Sequence, residues 1–475
     1  MFLERGILGL KRKRYIVLNA TMLIVLLIIS TVYVIAIVAD RAINQVYSYG
    51  YEYHGLDAAS INLTPNTNQS GIAVVVEDAV RLFTHRQNSW AVSELLGPIE
   101  DPTVDDDYAC LAVGEIYPTE VGEEIVVISE YGKVIVLKNS NSNWSSTLIY
   151  DHFIGDSLTV AIGDLDPEHS GNEIVVAGTG WYYSEKSPWP GIVTILSHEE
   201  DGTWNATEIK VAYAVHSLVI GDFDSLHYGN ECIIRESLGK TEVVFLESNK
   251  WYVQQIWDLR DYSYSMASGD VYPIHLGDEV LVLNGSKAFL LYRGEQVNWT
   301  LTPIGEGPNG NRLTNIAIEG VGTSDNSAHI VTGSISSELY ELYFDGSTWK
   351  RETLVDLKPY TNIYWDMIRI IMSDVDSGHQ GNEIIIVTDT GAMGVMSLAY
   401  RRNLFERIFV SLPLIGLGFV SIGVLNSSFL VIDLRQRRFK KLEESGYKKC
   451  PICGEYIKSD RLSEHVALHL PDGKD

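Results

Sequence analysis

The stretch VAIGDLDPEHSGNEIVVAG at 160–178 decides the fold, because it recurs along the chain. Related stretches read LVIGDFDSLHYGNECIIRE at 218–236, MASGDVYPIHLGDEVLVLN at 266–284 and RIIMSDVDSGHQGNEIIIVTD at 369–389, and a weaker copy lies at 312–333. The acidic residues that close the first strand of each copy are 48 to 58 residues apart and are Glu115, Asp164, Asp222, Asp270, Glu319 and Asp374. Repeats of this length hold about four strands and are stable only when stacked on neighbours. The sequence therefore predicts a β-propeller.

Each copy is predicted to form one four-stranded blade. The first strand ends at Gly-Asp, where we expect glycine to permit a turn and aspartate to hydrogen-bond the backbone two residues on. The second strand follows Gly-Asn-Glu or Gly-Asp-Glu and is apolar on both faces, which is typical of a strand between packed sheets. The fourth strand is predicted to be half-exposed, and in each copy it opens on a tryptophan: Trp90, Trp144, Trp204, Trp251, Trp299 and Trp349.

This repeat resembles the FG-GAP/VCBS repeats of integrin-type propellers and of many microbial surface proteins, over about residues 71–400. The resemblance implies the propeller fold and suggests calcium loops, at Asp164, Asp166, Asp222, Asp224, Asp374 and Asp376. Calcium takes about six to eight oxygen ligands. The third ligand position holds Glu168 in one copy but Leu226 and Gly378 in the others, so bound calcium is the less favoured interpretation.

The strand count predicts seven blades. Residues 71–97 supply the last three strands of the first blade, and residues 58–63 would supply its first strand. The last blade has only three strands of its own, so the alternating segment VYSYGYEY at 46–53 is expected to complete it and close the ring. Six and eight blades are the alternatives, because 312–357 and the first blade are poorly marked.

The charge is distributed unevenly along the chain. The net charge of −26 combines 53 acidic and 21 basic residues at 39–407, a net of −32, with ends that are net basic by 6. A surface this acidic argues against a nucleic-acid partner for the propeller, because phosphate binding needs positive charge.

Two charge-free segments flank the propeller and predict a two-pass membrane protein. Residues 15–38 and 408–432 are each long enough to cross the bilayer as a helix. Basic residues at 1–14 and in the linker 433–447 predict that both termini are cytoplasmic and that the propeller at 39–405 is extracellular, at the plasma membrane. The alternative for the first segment is a cleaved signal peptide, but its apolar core is longer than usual and no clean cleavage site follows. Strand order predicts that both crossings lie on the same face of the ring.

The tail at 448–475 carries the most specific motif. Cys450 and Cys453 are followed by His465 and, after three further residues, by His469. This resembles the classical two-cysteine, two-histidine zinc finger, a small ββα unit in which a hairpin supplies two thiolates and a helix two imidazoles to a structural zinc. The interval between Cys453 and His465 is one residue shorter than usual. The alternative is a disordered tail.

Three further residue sets concern glycosylation, the turn of the repeat and the propeller cysteines. Six N-glycosylation sequons fall in or beside predicted loops and outer strands, at Asn62, Asn68, Asn143, Asn205, Asn284 and Asn298. One histidine per copy follows the repeated acid and is expected to stabilise the turn rather than to bind metal: His169, His227, His275 and His379. Cys110 and Cys232 are expected to be buried thiols, because they lie in non-adjacent blades. The alternative is a disulfide bond between them, which an extracellular location would permit.

Aromatic residues collect in the loops that strand order places away from the membrane. The long loop at 178–191 carries Trp181, Tyr182, Tyr183 and Trp189, and the connectors between blades carry Tyr108, Tyr262, Tyr264, Tyr360, Tyr364 and Trp365. Exposed aromatics on rigid loops often mark a surface that binds a protein or a glycan. The alternative is that half of them cap the blades.

These features together predict a binding module rather than an enzyme. The hypothesis is a receptor-like, adhesion or scaffold protein whose propeller binds an extracellular protein or glycan and whose finger binds a cytoplasmic protein. A single finger offers a small nucleic-acid interface, so nucleic acid is the less favoured partner there. The alternatives are a surface polysaccharide hydrolase or lyase, for which no carboxylate pair stands out, and a subunit of an envelope-assembly or transport complex.

Overall fold

A computed structural model describes most of the repeat region and part of the tail. The described residues are 44–48, 55–64, 69–76, 78–86, 89–99, 106–117, 122–140, 143–152, 158–179, 190–224, 227–259, 265–272, 275, 277–294, 298–319, 329–356, 367–375, 382–388, 392–397, 438 and 440–467. The chain divides into two compact units, Met1–Ala399 and Tyr400–Asp475.

The first unit is an all-β propeller of seven four-stranded antiparallel sheets, as predicted. Blades 1 to 3 contain β2 (Gly55–Thr64), β3 (Gln69–Val76), β4 (Ala79–Arg86) and β5 (Ser89–Leu96); β6 (Tyr108–Gly114), β7 (Glu124–Ser129), β8 (Lys133–Ser140) and β9 (Asn143–Asp151); β10 (Thr159–Gly163), β11 (Glu173–Thr179), β12 (Gly191–His198) and β13 (Trp204–Val211). Blades 4 to 6 contain β14 (Val215–Gly221), β15 (Glu231–Glu236), β16 (Lys240–Glu247) and β17 (Lys250–Asp258); β18 (Met266–Gly269), β19 (Glu279–Asn284), β20 (Lys287–Arg293) and β21 (Trp299–Glu306); β22 (Leu313–Glu319), β23 (His329–Ser334), β24 (Glu338–Phe344) and β25 (Trp349–Asp356). Short 3-10 turns lie at Ser237–Gly239 and Pro308–Gly310.

Blade 7 is assembled from both ends of the unit. It contains β26 (Met367–Ser373), β27 (Glu383–Thr388) and β28 (Ala392–Ser397), and its outer strand is β1 (Asn44–Ser48). β1 pairs antiparallel with β28, with Asn44 opposite Val395 and Ser48 opposite Ala392. The predicted closure by an N-terminal strand is therefore confirmed.

The described residues form seven apolar core clusters, one at each interface between neighbouring blades. The second strand of each blade is buried on both faces, because its alternate side chains enter the clusters on its two sides. Val175 of β11 packs against blade 4, for example, whereas Ile174 packs against blade 2. This explains the unbroken apolar runs in the sequence.

The outer-strand tryptophans pack against the turn of the preceding blade. The residues that follow the repeated acid insert between blades, so that Leu165 meets Trp251, Phe223 meets Trp299 and Val375 meets Trp90 in shared clusters. Tyr272 also lies 6.2 Å from Trp349, between ring centroids. The repeated tryptophan therefore joins each blade to the blade before it.

The glycine before the repeated acid has a different role from the one expected. Its φ is not positive at Gly163 or Gly114, so turn geometry does not require glycine there. A β-carbon at Gly163 would instead lie 2.5 Å from Ile220 of the next blade, and one at Gly114 would lie 3.0 Å from Ile162. Glycine is needed because the inner strands of adjacent blades approach closely. The left-handed residue is the later glycine, such as Gly229 with φ +101°.

The described part of the second unit is a small hairpin followed by a helix. β29 (Tyr447–Lys449) pairs with β30 (Tyr456–Lys458), and α1 spans Leu462–Ala467. This is the ββα order expected of the tail. The two predicted membrane segments, 15–38 and 408–432, lie outside the described residues, and within the described part of the chain no helix has the length and hydropathy to span a membrane.

Candidate metal centre and the other predicted sites

The hairpin and α1 bring three of the four predicted metal ligands together. The ligand atoms of Cys450, Cys453 and His465 all lie within 4.8 Å of one another, and Cys453 Sγ lies 3.2 Å from His465 Nε2. Ligand atoms of a tetrahedral zinc are about 3.5–3.8 Å apart, given Zn–S near 2.3 Å and Zn–N near 2.0 Å. The three side chains therefore fit such an ion. His469 lies outside the described residues.

Backbone hydrogen bonds in the turn between β29 and β30 position the thiols of Cys450 and Cys453. The Cys450 N–H donates to the Glu455 carbonyl at 2.7 Å, and the Gly454 N–H donates to the Cys450 carbonyl at 3.0 Å. Gly454 has φ +78°, a left-handed value that closes the turn. Hydrogen bonding from the Cys453 backbone lowers the pKa of the Cys450 thiol, which favours the thiolate that metals bind.

The acidic loops do not form a calcium cage among the described residues. Asp224 is buried, forms an ion pair with Arg293 of blade 5, and has His227 Nδ1 2.8 Å from its Oδ2. Asp166 Oδ1 accepts a hydrogen bond from the Glu168 N–H at 3.1 Å. Burial raises the pKa of Asp164, and Asp166 adds to the effect. Asp222 and Asp374 are exposed, and Asp376 lies outside the described residues.

Where the structure describes the repeated histidines, their backbone N–H groups donate to the turn, as any residue except proline could at that position, so a special role of the imidazole stays a prediction. Three backbone N–H groups bond the turn: His169 to Asp166 O at 2.8 Å, His227 to Asp224 O at 2.9 Å, and His275 to Tyr272 O at 2.9 Å. The His227 ring stacks on Phe245 with centroids 4.2 Å apart. His379 is outside the described range.

The residue that organises the turn is the buried glutamate opening the second strand, which the sequence interpretation overlooked. Its Oε2 accepts a backbone N–H from the residue that inserts between blades, at 2.8–2.9 Å in five blades. These glutamates are Glu124, Glu173, Glu231, Glu279 and Glu383. Burial raises the pKa of Glu173 to about 7, of Glu231 to about 8 and of Glu279 to about 7. The available signal was its constant place two residues after a glycine, in Gly-Asn-Glu, Gly-Asp-Glu or, at Glu124, Gly-Glu-Glu.

The predicted aromatic surface falls almost wholly outside the described residues: Trp181, Tyr182, Tyr183, Trp189, Tyr262, Tyr264, Tyr360, Tyr364 and Trp365. Tyr108 is described, and of the two interpretations it fits the alternative, that some of the aromatics cap the blades. Its side chain is 1% exposed, and its hydroxyl donates to the Gly97 carbonyl at 2.7 Å. Tyr108 is thus one of the aromatics that cap a blade.

The five described sequon asparagines differ in accessibility. Asn143, Asn205 and Asn298 are exposed beside the tryptophan that opens an outer strand. Asn62 is exposed but donates to Glu123 Oε1 at 3.2 Å, and the side-chain oxygen of Asn284 is buried. Asn68 is not among the described residues.

Cys110 and Cys232 are both buried free thiols, as expected. Burial raises the pKa of Cys232 to about 12 and also raises that of Cys110. Neither is therefore a reactive thiolate at neutral pH.

Compared with known proteins, the chain matches no family model, and no curated protein is significantly similar to it. The resemblance to FG-GAP/VCBS repeats stays a prediction. What the structure establishes is a seven-bladed propeller and a Cys-Cys-His cluster able to hold a metal ion.

Proposed function

We propose that this protein is a two-pass plasma-membrane protein that displays its propeller outside the cell as a binding module. The supporting observation is the pairing of the first and last strands of the ring. Asn44 begins β1 opposite Val395, close to the end of β28 at Ser397. Paired residues of antiparallel strands are about 5 Å apart, so the chain enters and leaves the propeller at one place on one face.

The charge-free segments begin and end close to that place in sequence. Residues 15–38 stop shortly before Asn44, and residues 408–432 start shortly after Ser397. Two helices that leave from neighbouring points would enter the bilayer side by side and hold the same face of the ring toward the lipid. The opposite face, with the aromatic loops, would then be available to an extracellular protein or glycan.

The tail would act on the cytoplasmic side as a zinc-dependent contact for a protein partner. The Cys450, Cys453 and His465 cluster supports this, with His469 as the proposed fourth ligand. A structural zinc supplies folding free energy to a unit too small for a core of its own. We propose a structural rather than a catalytic zinc, because His469 would complete the four-ligand Cys2His2 set that is typical of structural sites.

The topology is tested by labelling intact cells with a membrane-impermeant amine reagent and mapping the modified lysines by mass spectrometry. Lys210 in the propeller and Lys448 in the tail are both exposed in their own units. We expect Lys210 to be labelled on intact cells and Lys448 only after permeabilisation. Labelling of Lys448 on intact cells, with Lys210 protected, would reverse the proposed orientation.

A further inference from the structure

The outer strands of a propeller are sheet edges, and edges invite pairing with another chain. Proteins protect such edges with charged residues, proline or bulges. Among the six outer strands whose side chains are described, four carry a charged residue or a proline between their first and last residues, and β9 opens on a glycosylation sequon. β5 carries Glu94, β13 carries Glu208 and Lys210 beside the Asn205 sequon, β21 carries Pro303 beside the Asn298 sequon, β25 carries Lys350, Arg351 and Glu352, and β9 opens on the Asn143 sequon.

β17 of blade 4 differs from the others. It reads KWYVQQIWD, so its charged residues, Lys250 and Asp258, lie only at its two ends. The seven residues from Trp251 to Trp257 contain no charge, proline, glycine or sequon. β9 has the same exposure pattern and is also uncharged between its ends, but it presents Ser145, Ser146 and Thr147 where β17 presents bulkier strand-forming residues. In β17, Tyr252 is 43% and Val253 37% exposed.

The exposed part of β17 is regular. Lys250 to Gln255 pair with β16 without interruption, and the bulge comes only at Ile256, between the pairs Gln255–Glu242 and Trp257–Thr241. The Tyr252 ring stacks on Phe245 at 5.6 Å between centroids, and Phe245 in turn stacks on His227. The outward backbone groups and the side chains of this six-residue stretch are therefore held in place before any partner arrives.

We propose that β17 accepts an extended, positively charged segment of a partner protein as a fifth strand of blade 4. Addition of a strand to an exposed edge gives affinity through main-chain hydrogen bonds and specificity through alternate side chains. Adjacent strand residues point to opposite faces, so an alternating partner strand would place its apolar residues on the face of Val253 and its basic residues on the other face. This names a partner class for the proposed binding module, and it rests on that module being a binding domain.

The charge of the domain decides between two occupants. A second copy of this chain would bring its own net charge of −32 over 39–407 against an equal charge, and the two copies would repel each other. A segment rich in lysine or arginine is attracted by the same field, while the uncharged edge avoids burying unpaired charge.

The proposal is tested with purified full-length protein in detergent and a fluorescent ten-residue peptide of alternating lysine and valine. Anisotropy measures affinity, and hydrogen exchange monitors the amides of 251–256. We compare Val253→Lys, which places a charge on the edge, with Ser146→Lys, which makes the same charge change at the equivalent position of β9. We expect Val253→Lys to weaken binding about tenfold or more, Ser146→Lys to leave it within about twofold, and the peptide to protect 251–256 in the parent protein.

Equal loss in both variants, or no protection of 251–256, would show general charge attraction and overturn the proposal. So would a dimer of the parent protein, seen by sedimentation without peptide, that Val253→Lys dissociates, because a second copy would then occupy the edge. These measurements use purified protein and do not depend on membrane orientation, so they can fail separately from the proposed topology.

Discussion

Ionisation of a single buried glutamate is expected to make the stability of the propeller depend on pH. The folded pKa of Glu231 is about 8, well above the usual value of 4.5, because the side chain is buried. The folded state therefore binds more protons than the unfolded state between about pH 4.5 and 8, so stability is fully present below that interval and falls as pH rises through it.

Glu231→Gln is expected to remove part of this pH dependence. The amide stays neutral at every pH and its oxygen can still accept the N–H groups of Phe223 and Asp224. Denaturant unfolding at pH 5 and pH 8 should show a smaller loss of stability in the variant than in the parent, by about 1 kcal/mol or more. The control is Glu247→Gln at an exposed glutamate. An unchanged pH dependence would contradict the assignment.

Cys450 is expected to be indispensable for metal retention by the tail. Cys450→Ser removes one thiolate from the cluster of Cys450, Cys453 and His465, and loss of one ligand weakens a structural zinc site severely. After dialysis, the metal content of the full-length variant should fall from about one zinc per chain to near zero. Cys232→Ala, at a buried thiol of the propeller, should keep its zinc. A parent protein that holds no zinc would disprove the metal centre.

At the scale of the element, the turn between the first and second strands is the unit that couples blades. Glu173 Oε2 accepts the Leu165 N–H at 2.8 Å and so presents Leu165 to blade 4. The Asn230 N–H of the next blade donates to the Asp164 carbonyl at 3.0 Å, and Asp278 repeats this bond to Asp222 at 2.9 Å. The Gly-Asn-Glu or Gly-Asp-Glu segment therefore forms one hydrogen bond within its own blade, through the glutamate, and one to the blade before it, through the Asn or Asp N–H.

Leu165→Ala is expected to destabilise the propeller by about 2–5 kcal/mol, because it leaves a cavity in a packed interface. Leu165 is 1% exposed. Leu148→Ala makes the same chemical change on β9 where the side chain is 52% exposed, and its effect should stay within about 0.5 kcal/mol. Equilibrium urea unfolding of the two variants measures the difference. Similar losses in both would show that the turn does not couple the blades.

At the scale of the whole molecule, closure of the ring joins residues that are far apart in sequence. Arg369 of β26 forms an ion pair with Asp57 of β2, and its second nitrogen lies 3.3 Å from Asp57 Oδ2. Asp57 is buried and also accepts the Leu111 N–H at 3.1 Å, so it links blades 7, 1 and 2. This pair and the β1–β28 pairing both hold blade 7 in the ring.

Arg369→Met is expected to cost about 1–3 kcal/mol, because it leaves the buried Asp57 carboxylate without its cation. The Arg369 side chain is 43% exposed, so the expected loss of stability is smaller than for a fully buried ion pair. Thermal unfolding should show the loss, and the double variant Asp57→Asn with Arg369→Met should recover part of it. If the double variant is as unstable as the sum of the single variants, the two residues do not interact.

The sequence by itself determined the architecture. The period of the acidic copies predicted the blades, the apolar runs predicted the doubly buried second strands, and the missing fourth strand of the last blade predicted closure by the N-terminus. The apolar runs are local patterns within one repeat, whereas the period and the missing strand follow from comparing one repeat with the next. The spacing of Cys450, Cys453 and His465 predicted the metal cluster, because a short hairpin and helix bring nearby residues together.

Only the tertiary structure decided what the repeated residues do. Gly163 is required by Ile220 of the next blade and Asp57 pairs with a residue 312 positions away. The unprotected edge of β17 is recognised only once strand order shows which strand is outermost. The physical reason is that a blade buries its side chains against its neighbours, so the partner of each residue lies one repeat away or across the closed ring, where no pattern within a single repeat records it.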